Sequence, residues 1–326
     1  MKIQMTRRVA LACAAAFTAL PAFGQEAWPT APVRVFVGFP AGSSPDTLAR
    51  IVTDKLAERL GQPVVIENRP GAGGVIGVQQ MLVSAGDGHT FGTTINGPLT
   101  TSQRMMDSTG YDVATDIAPV TLIATSPLVL AVSANSDIDD LDGFIAAAGA
   151  DAEAIAYGSV GQGSGAHLTA ELFATEAGVS MLHVPFTSYA EVTTSILGGE
   201  IDAGFMAPSA ALPFVQAGTM RMLGITSAEP FAQAPEVPVL AGNAGLPDDF
   251  RAELWNAFIA PADTDPDVIA RLNTEIGEIL ADAAVQEQLL AIGWQAAPGS
   301  SEDLRDRIET DTAMWGDVID RVQAQQ

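Results

Sequence analysis

Cysteine is almost absent from this sequence of 326 residues, which contains one, Cys13. Cys13 stands inside an apolar N-terminal stretch that has the features of a removable leader. Without that leader the chain has no thiol, which excludes disulfides, a cysteine nucleophile and cysteine-ligated metal sites. Cys13 precedes most of the apolar run, which argues against a lipoprotein signal and leaves lipidation as a minor alternative.

Basic residues are also scarce, with 15 lysines and arginines against 39 aspartates and glutamates. Removal of the leader takes away Lys2, Arg7 and Arg8, which leaves 12 basic residues against the same 39 acids and a net charge of −27. A field of this sign repels nucleic acid and anionic membranes, so neither is expected as a partner. It also repels small anions, but salt screens that repulsion beyond about 8–10 Å, so N–H donors at short range can still bind them.

Residues 1–24 have the pattern of a secretory signal peptide. Three basic residues precede the apolar run Val9–Leu20, and small residues follow it at the cleavage positions. The mature chain is therefore expected to begin at Gln25. The run is too short to span a bilayer, and no long apolar run follows it.

The stretch Val33–Asp46 predicts a strand, a loop and the start of a helix. An apolar strand pattern ends at glycine, proline and two serines, after which the apolar spacing changes to about 3.6 residues. Ser44 is the expected N-cap, and Asp46 falls in the first turn, where the helix dipole favours an acid. The helix is expected to end at Gly61. Such a corner directs backbone N–H groups above the strand, which makes a carboxylate or phosphate the first ligand class to consider.

Strand-like and helix-like segments then alternate along the chain, and glycine- or serine-containing loops follow the strands at 159–165, 186–189 and 206–209. This alternation predicts an α/β protein with parallel, doubly wound sheets, in which ligands bind beyond the carboxyl ends of the strands. Chain crossings near 120–130 and 220–228 divide it into two lobes. Lobe 1 is expected to comprise 25–125 and 227–326, and lobe 2 to comprise 126–226.

Other site chemistries are weakly supported. The segment Gly161–Ala166 matches a loose dinucleotide pattern, but the next strand lacks the acid that would bind the ribose. Ser164 and His167 are one helical turn apart without an orienting acid, which is typical of capping rather than catalysis. The histidines fit no metal-ligand spacing: His89, His167 and His183. The sequence therefore predicts no enzyme, no cofactor and no metal site.

Eight stretches carry a family resemblance: Phe39–Arg50, Leu60–Gly74, Ile117–Thr125, Tyr157–Ser159, His167–Phe173, His183–Phe186, Leu197–Asp202 and Ser209–Pro213. In these stretches, and in order from about Trp28 to Trp315, the chain resembles the Bug family, the substrate-binding proteins of tripartite tricarboxylate transporters.

The resemblance implies a monomeric periplasmic protein of the two-lobe, Venus-flytrap type II fold. It would capture a small organic carboxylate and deliver it to membrane permease subunits. One ligand carboxylate would be held by the first corner, with Asp46 fixing the loop rather than touching the anion, and loops of the second lobe would contact the rest. The candidate ligand-binding residues are Phe39, Ala41, Gly42, Ser43, Ser44, Asp46, Asn96, Ser159, Ser164, His167, Thr187, Ser188, Tyr189 and Met206.

Departures from the family pattern indicate the ligand. Many members have Lys-Gly-Ser where this chain has Thr187-Ser188-Tyr189, and an Asp-Asn pair where it has Met206-Ala207. An amine or hydroxyl on the ligand would lose partners there, whereas apolar surface would gain them. A dicarboxylate or aromatic carboxylate with an apolar body is therefore expected. A sensor that presents the same ligand to a signalling partner is the alternative, because binder and sensor would share this chain.

Overall fold

The computed structural model describes residues 28–84, 88–151, 154–162 and 164–324. The signal peptide predicted at 1–24, with Cys13, lies outside these residues. Eleven strands are found in them: β1 (Val33–Val37), β2 (Val64–Asn68), β3 (Thr90–Ile95), β4 (Ile117–Pro127), β5 (Val129–Ser133), β6 (Ala156–Ser159), β7 (Leu182–Pro185), β8 (Ala203–Met206), β9 (Met220–Ile225), β10 (Glu253–Pro261) and β11 (Gln295–Ala296).

Helices separate most of these strands. In chain order they are α1 (Ser44–Leu60), α2 (Val75–Val83), α3 (Asn96–Leu99), α4 (Ser102–Met105), α5 (Val113–Asp116), α6 (Leu141–Ala148), α7 (Gly165–Ala177), α8 (Tyr189–Gly198), α9 (Pro208–Gln216), α10 (Pro266–Leu280), α11 (Ala283–Ala291) and α12 (Ser301–Ala324). A 3₁₀ turn, Ala72–Gly74, precedes α2.

The strands form two sheets, so the predicted α/β class and two-sheet organisation are confirmed. The first sheet has the order β11-β4-β10-β3-β1-β2, and the second has the order β7-β6-β8-β5-β9. The prediction of parallel sheets is wrong in part. Strand β10 runs antiparallel to β3 and β4, and β5 runs antiparallel to β8 and β9. These strands follow chain crossings between the sheets rather than crossover helices, which allows the antiparallel direction.

The first corner forms largely as its sequence predicts. Helix α1 ends at Gly61 in the left-handed conformation, and its apolar face packs Leu48, Val52 and Leu56 into the core of the first sheet. The predicted N-cap is one residue too late, because Ser43 occupies that position and Ser44 is the first helical residue. Local propensity alone does not distinguish two adjacent serines.

Three crossing segments meet between the sheets at the buried side chain of Thr226. Its hydroxyl accepts a hydrogen bond from the Leu128 N–H and donates one to the Ala252 carbonyl. Backbone hydrogen bonds also join Thr226 to Leu128 and Ala252. Thr226 therefore ties together the chain at the end of β4, the end of β9 and the start of β10.

Helix α12 contacts the cores of both sheets. Its first turns bury Leu304 and Ile308 against the first sheet, and its later turns bury Trp315 and Val318 with the side chains of the second. Residues from 231 to 252 also pack in the cores of the second sheet. The lobe boundaries predicted from the sequence stay a prediction. The boundary after residue 226 is the one that these contacts concern, because α12 and residues 231 to 252 pack against the second sheet although the prediction assigns them to lobe 1.

Candidate functional site

The first corner is held together by the buried carboxylate of Asp46. It accepts hydrogen bonds from the Gly42 N–H at 2.8 Å, from the Arg50 guanidinium at 2.9 Å twice, and from Asn68 Nδ2 at 2.8 Å. Burial raises the pKa of Asp46, but the hydrogen bonds from Arg50, Gly42 and Asn68 outweigh it and hold that pKa below its usual value. Asp46 therefore stays ionised and fixes Gly42, whose φ is +81°.

The two serines of this corner differ in what they bind. Ser44 Oγ accepts a hydrogen bond from Trp294 Nε1 at 2.8 Å. Ser43 stands at the N-cap, yet its side chain makes no capping bond, and its Oγ is buried without a hydrogen-bond partner. A buried hydroxyl without a partner is unfavourable, so Ser43 Oγ is available to hydrogen-bond a ligand or a water molecule.

Phe39 connects the corner to the space between the sheets. A Cβ built on Gly74 would lie 2.8 Å from the Phe39 ring and 3.0 Å from Pro98, so glycine is required for this close approach. The neighbours of these residues, Gly73 and Gly97, line a cavity between the sheets. The Phe39 ring therefore lies beside residues whose chain neighbours line that cavity.

This cavity has a volume of about 360 Å³ and receives residues from both sheets. Two predicted site residues, Asn96 and Ser164, meet on its wall. Much of the remaining wall is apolar, with Ile95, Met105, Leu128, Leu168, Leu254 and Trp315. Among the described residues that line it, none is a lysine, arginine or histidine, so neutral donors would have to hold any anion there.

Three other predicted residues line a different cavity. Ala41, Gly42 and Asp46 border a space of about 500 Å³ on the outer side of the corner, beside Arg50 and Lys55. A larger cavity of about 610 Å³ lies away from every predicted site residue, between α2 and the end of β10. The structure thus brings only part of the predicted set together in the space between the sheets.

In the second corner, two predicted residues are used internally. Ser159 is fully buried, and its Oγ lies 2.7 Å from His183 Nε2 and within hydrogen-bond distance of the Gly161 N–H and carbonyl. Ser164 caps α7 by accepting a hydrogen bond from the His167 N–H at 3.3 Å. These bonds shape the loop, and Ser164 is a cap as predicted. The expectation that no acid lies near His167 is wrong, because Glu171 Oε1 is 3.9 Å from His167 Nε2.

Two histidines that are 16 positions apart stack against each other, with ring centroids of His167 and His183 4.0 Å apart. Their distance in sequence concealed this contact, which arises because β6 and β7 pair in parallel. Burial, with repulsion from His167, lowers the pKa of His183 to about 4, and burial also lowers the pKa of His167 despite the nearby Glu171. Both rings are therefore neutral at pH 7. Within the described residues, no three His, Cys, Asp or Glu side chains come together as a metal site requires.

The third loop caps its own helix. Ser188 Oγ accepts a hydrogen bond from the Glu191 N–H, and the Glu191 carboxylate accepts from the Thr187 N–H and hydroxyl at 2.8–2.9 Å. Tyr189 packs its ring against both hydrophobic clusters of the second sheet, and burial raises its pKa to about 12. The loop is thus pre-organised, and the hydroxyls of Thr187 and Ser188 already have partners.

Met206 does not have the position that its sequence context indicates. The residue is fully buried in a core of the second sheet, where the Thr193 hydroxyl lies 3.9 Å from its sulfur. It therefore offers no apolar surface to a ligand in this structure. The alternation of buried and exposed positions fails as a guide here because all four residues of β8 are buried.

Sequence reasoning also missed residues that line the cavity between the sheets. Leu128, Glu253, Leu254 and Trp315 come from the chain crossings and from α12. Burial raises the pKa of Glu253, and the neighbouring Arg307 opposes that effect. Trp255, which follows Leu254 on the same strand, is buried and donates a hydrogen bond to Asp311.

Comparison with known proteins identifies the family. The model of the tripartite tricarboxylate transporter family receptor, TctC, matches residues 48–324. The chain belongs to this receptor family. Among curated relatives, BugT of Bordetella pertussis (strain Tohama I) is 35% identical over 295 residues, which cover 90% of each chain. The resemblance to Bug substrate-binding proteins is therefore confirmed.

Two solved structures of similar proteins contain carboxylates. R. palustris Rpa4515 with adipate is 30% identical, covers 89% of this chain and 97% of that one, and gives a TM-score of 0.70. MatC (Rpa3494) of Rhodopseudomonas palustris with bound malate is 26% identical, covers 90% and 100% of the two chains, and gives a TM-score of 0.68. The receptor family thus has the two-lobe fold of periplasmic solute-binding proteins. Among the residues described for this chain, no helix has the length and apolar character needed to cross a bilayer.

Proposed function

We propose that this receptor binds a small organic carboxylate between its two sheets in the periplasm and delivers it to the permease of a tripartite transporter. Ser43 carries the proposal. Its hydroxyl is buried and unpartnered at the start of α1, where the helix dipole and free backbone N–H groups favour an anion. The Asp46 network holds this corner in place before any ligand arrives.

The ligand is a dicarboxylate or an aromatic carboxylate with an apolar body. The apolar side chains of the cavity between the sheets support this proposal, because they would be covered by such a body. Tyr189 and Met206 give less support than their positions in the sequence suggested, since both pack into the second sheet. Adipate, bound by one relative, has an apolar chain, whereas malate, bound by another, has a hydroxyl group.

Calorimetric titration tests the ligand class. The purified exported protein is first unfolded and refolded to remove carried-over ligand, and is then titrated with adipate, benzoate, malate, citrate and aspartate. We expect adipate or benzoate to bind more tightly than citrate or aspartate. Tighter binding of citrate or aspartate would contradict the apolar body, and binding of none of the five would contradict the carboxylate function.

Export and delivery need separate experiments. N-terminal sequencing of the secreted protein is expected to begin at Gln25, and a retained leader would contradict export through a cleaved signal. Crosslinking in intact cells is expected to capture permease subunits. Capture of a signalling protein instead would favour the sensor alternative.

A further inference from the structure

Two buried polar side chains near the first corner have no hydrogen-bond partner and no role assigned so far. Asn256 is fully buried, and neither its Nδ2 nor its Oδ1 has a partner. Thr93 is 2% exposed, and its Oγ1 likewise has none. Buried amides and hydroxyls in native proteins are nearly always hydrogen-bonded, so both side chains indicate a polar group that this structure does not contain.

Asn256 and Thr93 lie on adjacent strands and on the same face of the first sheet. In the antiparallel pairing of β10 with β3, Phe258 is opposite Thr93 and Asn256 is opposite Ile95. Side chains alternate between the faces of a strand, so Asn256 shares a face with Phe258, and Thr93 shares one with Phe91. The rings of Phe91 and Phe258 pack together at 5.9 Å, which confirms that the two faces are the same.

This face is the one that α1 covers. Phe91 and Phe258 belong to the same buried cluster as Leu48 of α1, and Val37, the last residue of β1, is in register with Thr93. The chain then leaves β1 for the corner, where Ser43 presents the third unpartnered oxygen. The polar atoms of Ser43, Thr93 and Asn256 thus mark a layer between the corner and the apolar core.

The same layer borders the cavity between the sheets. Ile95, directly opposite Asn256, and Leu254, two residues before it on β10, both line that cavity. Directly opposite side chains in an antiparallel pair have Cβ atoms about 5 Å apart. Asn256 is therefore next to two residues of the cavity wall, although neither Asn256 nor Thr93 lines the cavity itself.

We propose that Thr93 and Asn256, with Ser43, bind one carboxylate group of the ligand from the sheet side. This inference rests on the proposed function and adds residues of β3 and β10 to the helix-start donors of the corner. The amide N–H groups of Asn256 and the two hydroxyls supply neutral donors, which fits a cavity whose described lining has no basic side chain. A carboxylate there would gain hydrogen bonds without the need for a buried cation.

The test compares Thr93→Val and Asn256→Leu with wild type by thermal unfolding and calorimetry of the exported, refolded protein. Both variants replace unpartnered polar atoms by apolar groups of similar size, so the ligand-free proteins are expected to unfold at the wild-type temperature or above it. Their affinity for the tightest binder among adipate, benzoate, malate and citrate is expected to fall about tenfold or more. Thr94→Val is the matched control, because Thr94 is equally buried but points to the other face and is expected to leave affinity unchanged.

The outcomes separate the two proposals. If wild type binds one of these carboxylates and both variants bind it equally well, the polar layer is not part of the binding site and the inference is wrong, while the proposed function stands. Lower unfolding temperatures of both ligand-free variants with unchanged affinity would show that Thr93 and Asn256 hold structural water, and the inference would be wrong. If wild type binds none of these four and does not bind aspartate either, both the inference and the carboxylate function are wrong.

Discussion

Replacing Asp46 by asparagine tests how the first corner is held. The carboxylate accepts four hydrogen bonds from three residues, Gly42, Arg50 and Asn68. The asparagine amide has the same shape but can accept at one oxygen only, so the donors on its other side lose their acceptor. Arg50 is 48% exposed and can turn to water, whereas the side chain of Asp46 is 1% exposed.

We expect Asp46→Asn to lower the free energy of unfolding by about 2–4 kcal/mol, because buried hydrogen bonds to a charged group are lost. Carboxylate affinity is expected to fall by about tenfold or more, since the Gly42 segment is no longer fixed. Urea unfolding and calorimetry with the tightest-binding carboxylate measure the two effects. Asp54→Asn is the control, because this substitution removes the same charge from the exposed face of the same helix.

Wild-type stability and affinity in Asp46→Asn would refute this account of the corner. Its pH dependence gives a second check. The pKa of Asp46 is lowered below its unfolded value of 3.8, so its contribution to stability is fully present above pH 3.8 and is lost as the pH falls through the lower, folded value. Above pH 5, the difference between wild type and Asp46→Asn should therefore not change with pH.

Three further changes test the rest of the structure. His183 has a folded pKa of about 4 against 6.5, so stability should fall by on the order of 3 kcal/mol between pH 6.5 and 4, and His183→Gln should flatten this part of the denaturation profile. Thr226→Val removes a hydroxyl that two buried backbone groups use and should cost about 1–3 kcal/mol in urea unfolding, whereas Thr226→Ser should cost less. Gly38→Ala places a Cβ 2.3 Å from the Gly74 carbonyl oxygen, so it should weaken both stability and binding, while Gly277→Ala, in open space, should leave both near wild type. A pH profile of His183→Gln like that of wild type would contradict the assigned role of His183. Wild-type stability of Thr226→Val, or wild-type affinity of Gly38→Ala, would contradict the role given to Thr226 or to Gly38.

Much of the fold could be predicted because its signals are local. The strand and helix predicted from Val33–Asp46 became β1 and α1, and α1 ends at Gly61 as expected. The corner at Pro45 and Asp46 was recognisable because a proline and an acid in the first turn favour a helix start in any context. The family resemblance then supplied the two-lobe fold.

The remainder depends on which strands become neighbours, which a single sequence does not state. The His167–His183 stack follows from the pairing of β6 with β7, and the antiparallel direction of β10 follows from where the chain crosses between the sheets. Met206 looked like a surface contact because its burial depends on the helices that cover β8. Asn256 gave no signal at all, since an asparagine in a strand becomes informative only when its missing partners can be seen.

The central claim is that a ligand carboxylate lies at the first corner, between the sheets. A crystal structure of the protein with the tightest-binding carboxylate tests it most directly. The account predicts a carboxylate oxygen within hydrogen-bond distance of Ser43 Oγ, with the body of the ligand against the apolar wall of the 360 Å³ cavity. A ligand bound on the outer side of the corner beside Arg50 and Lys55, or in the cavity between α2 and β10, would contradict it.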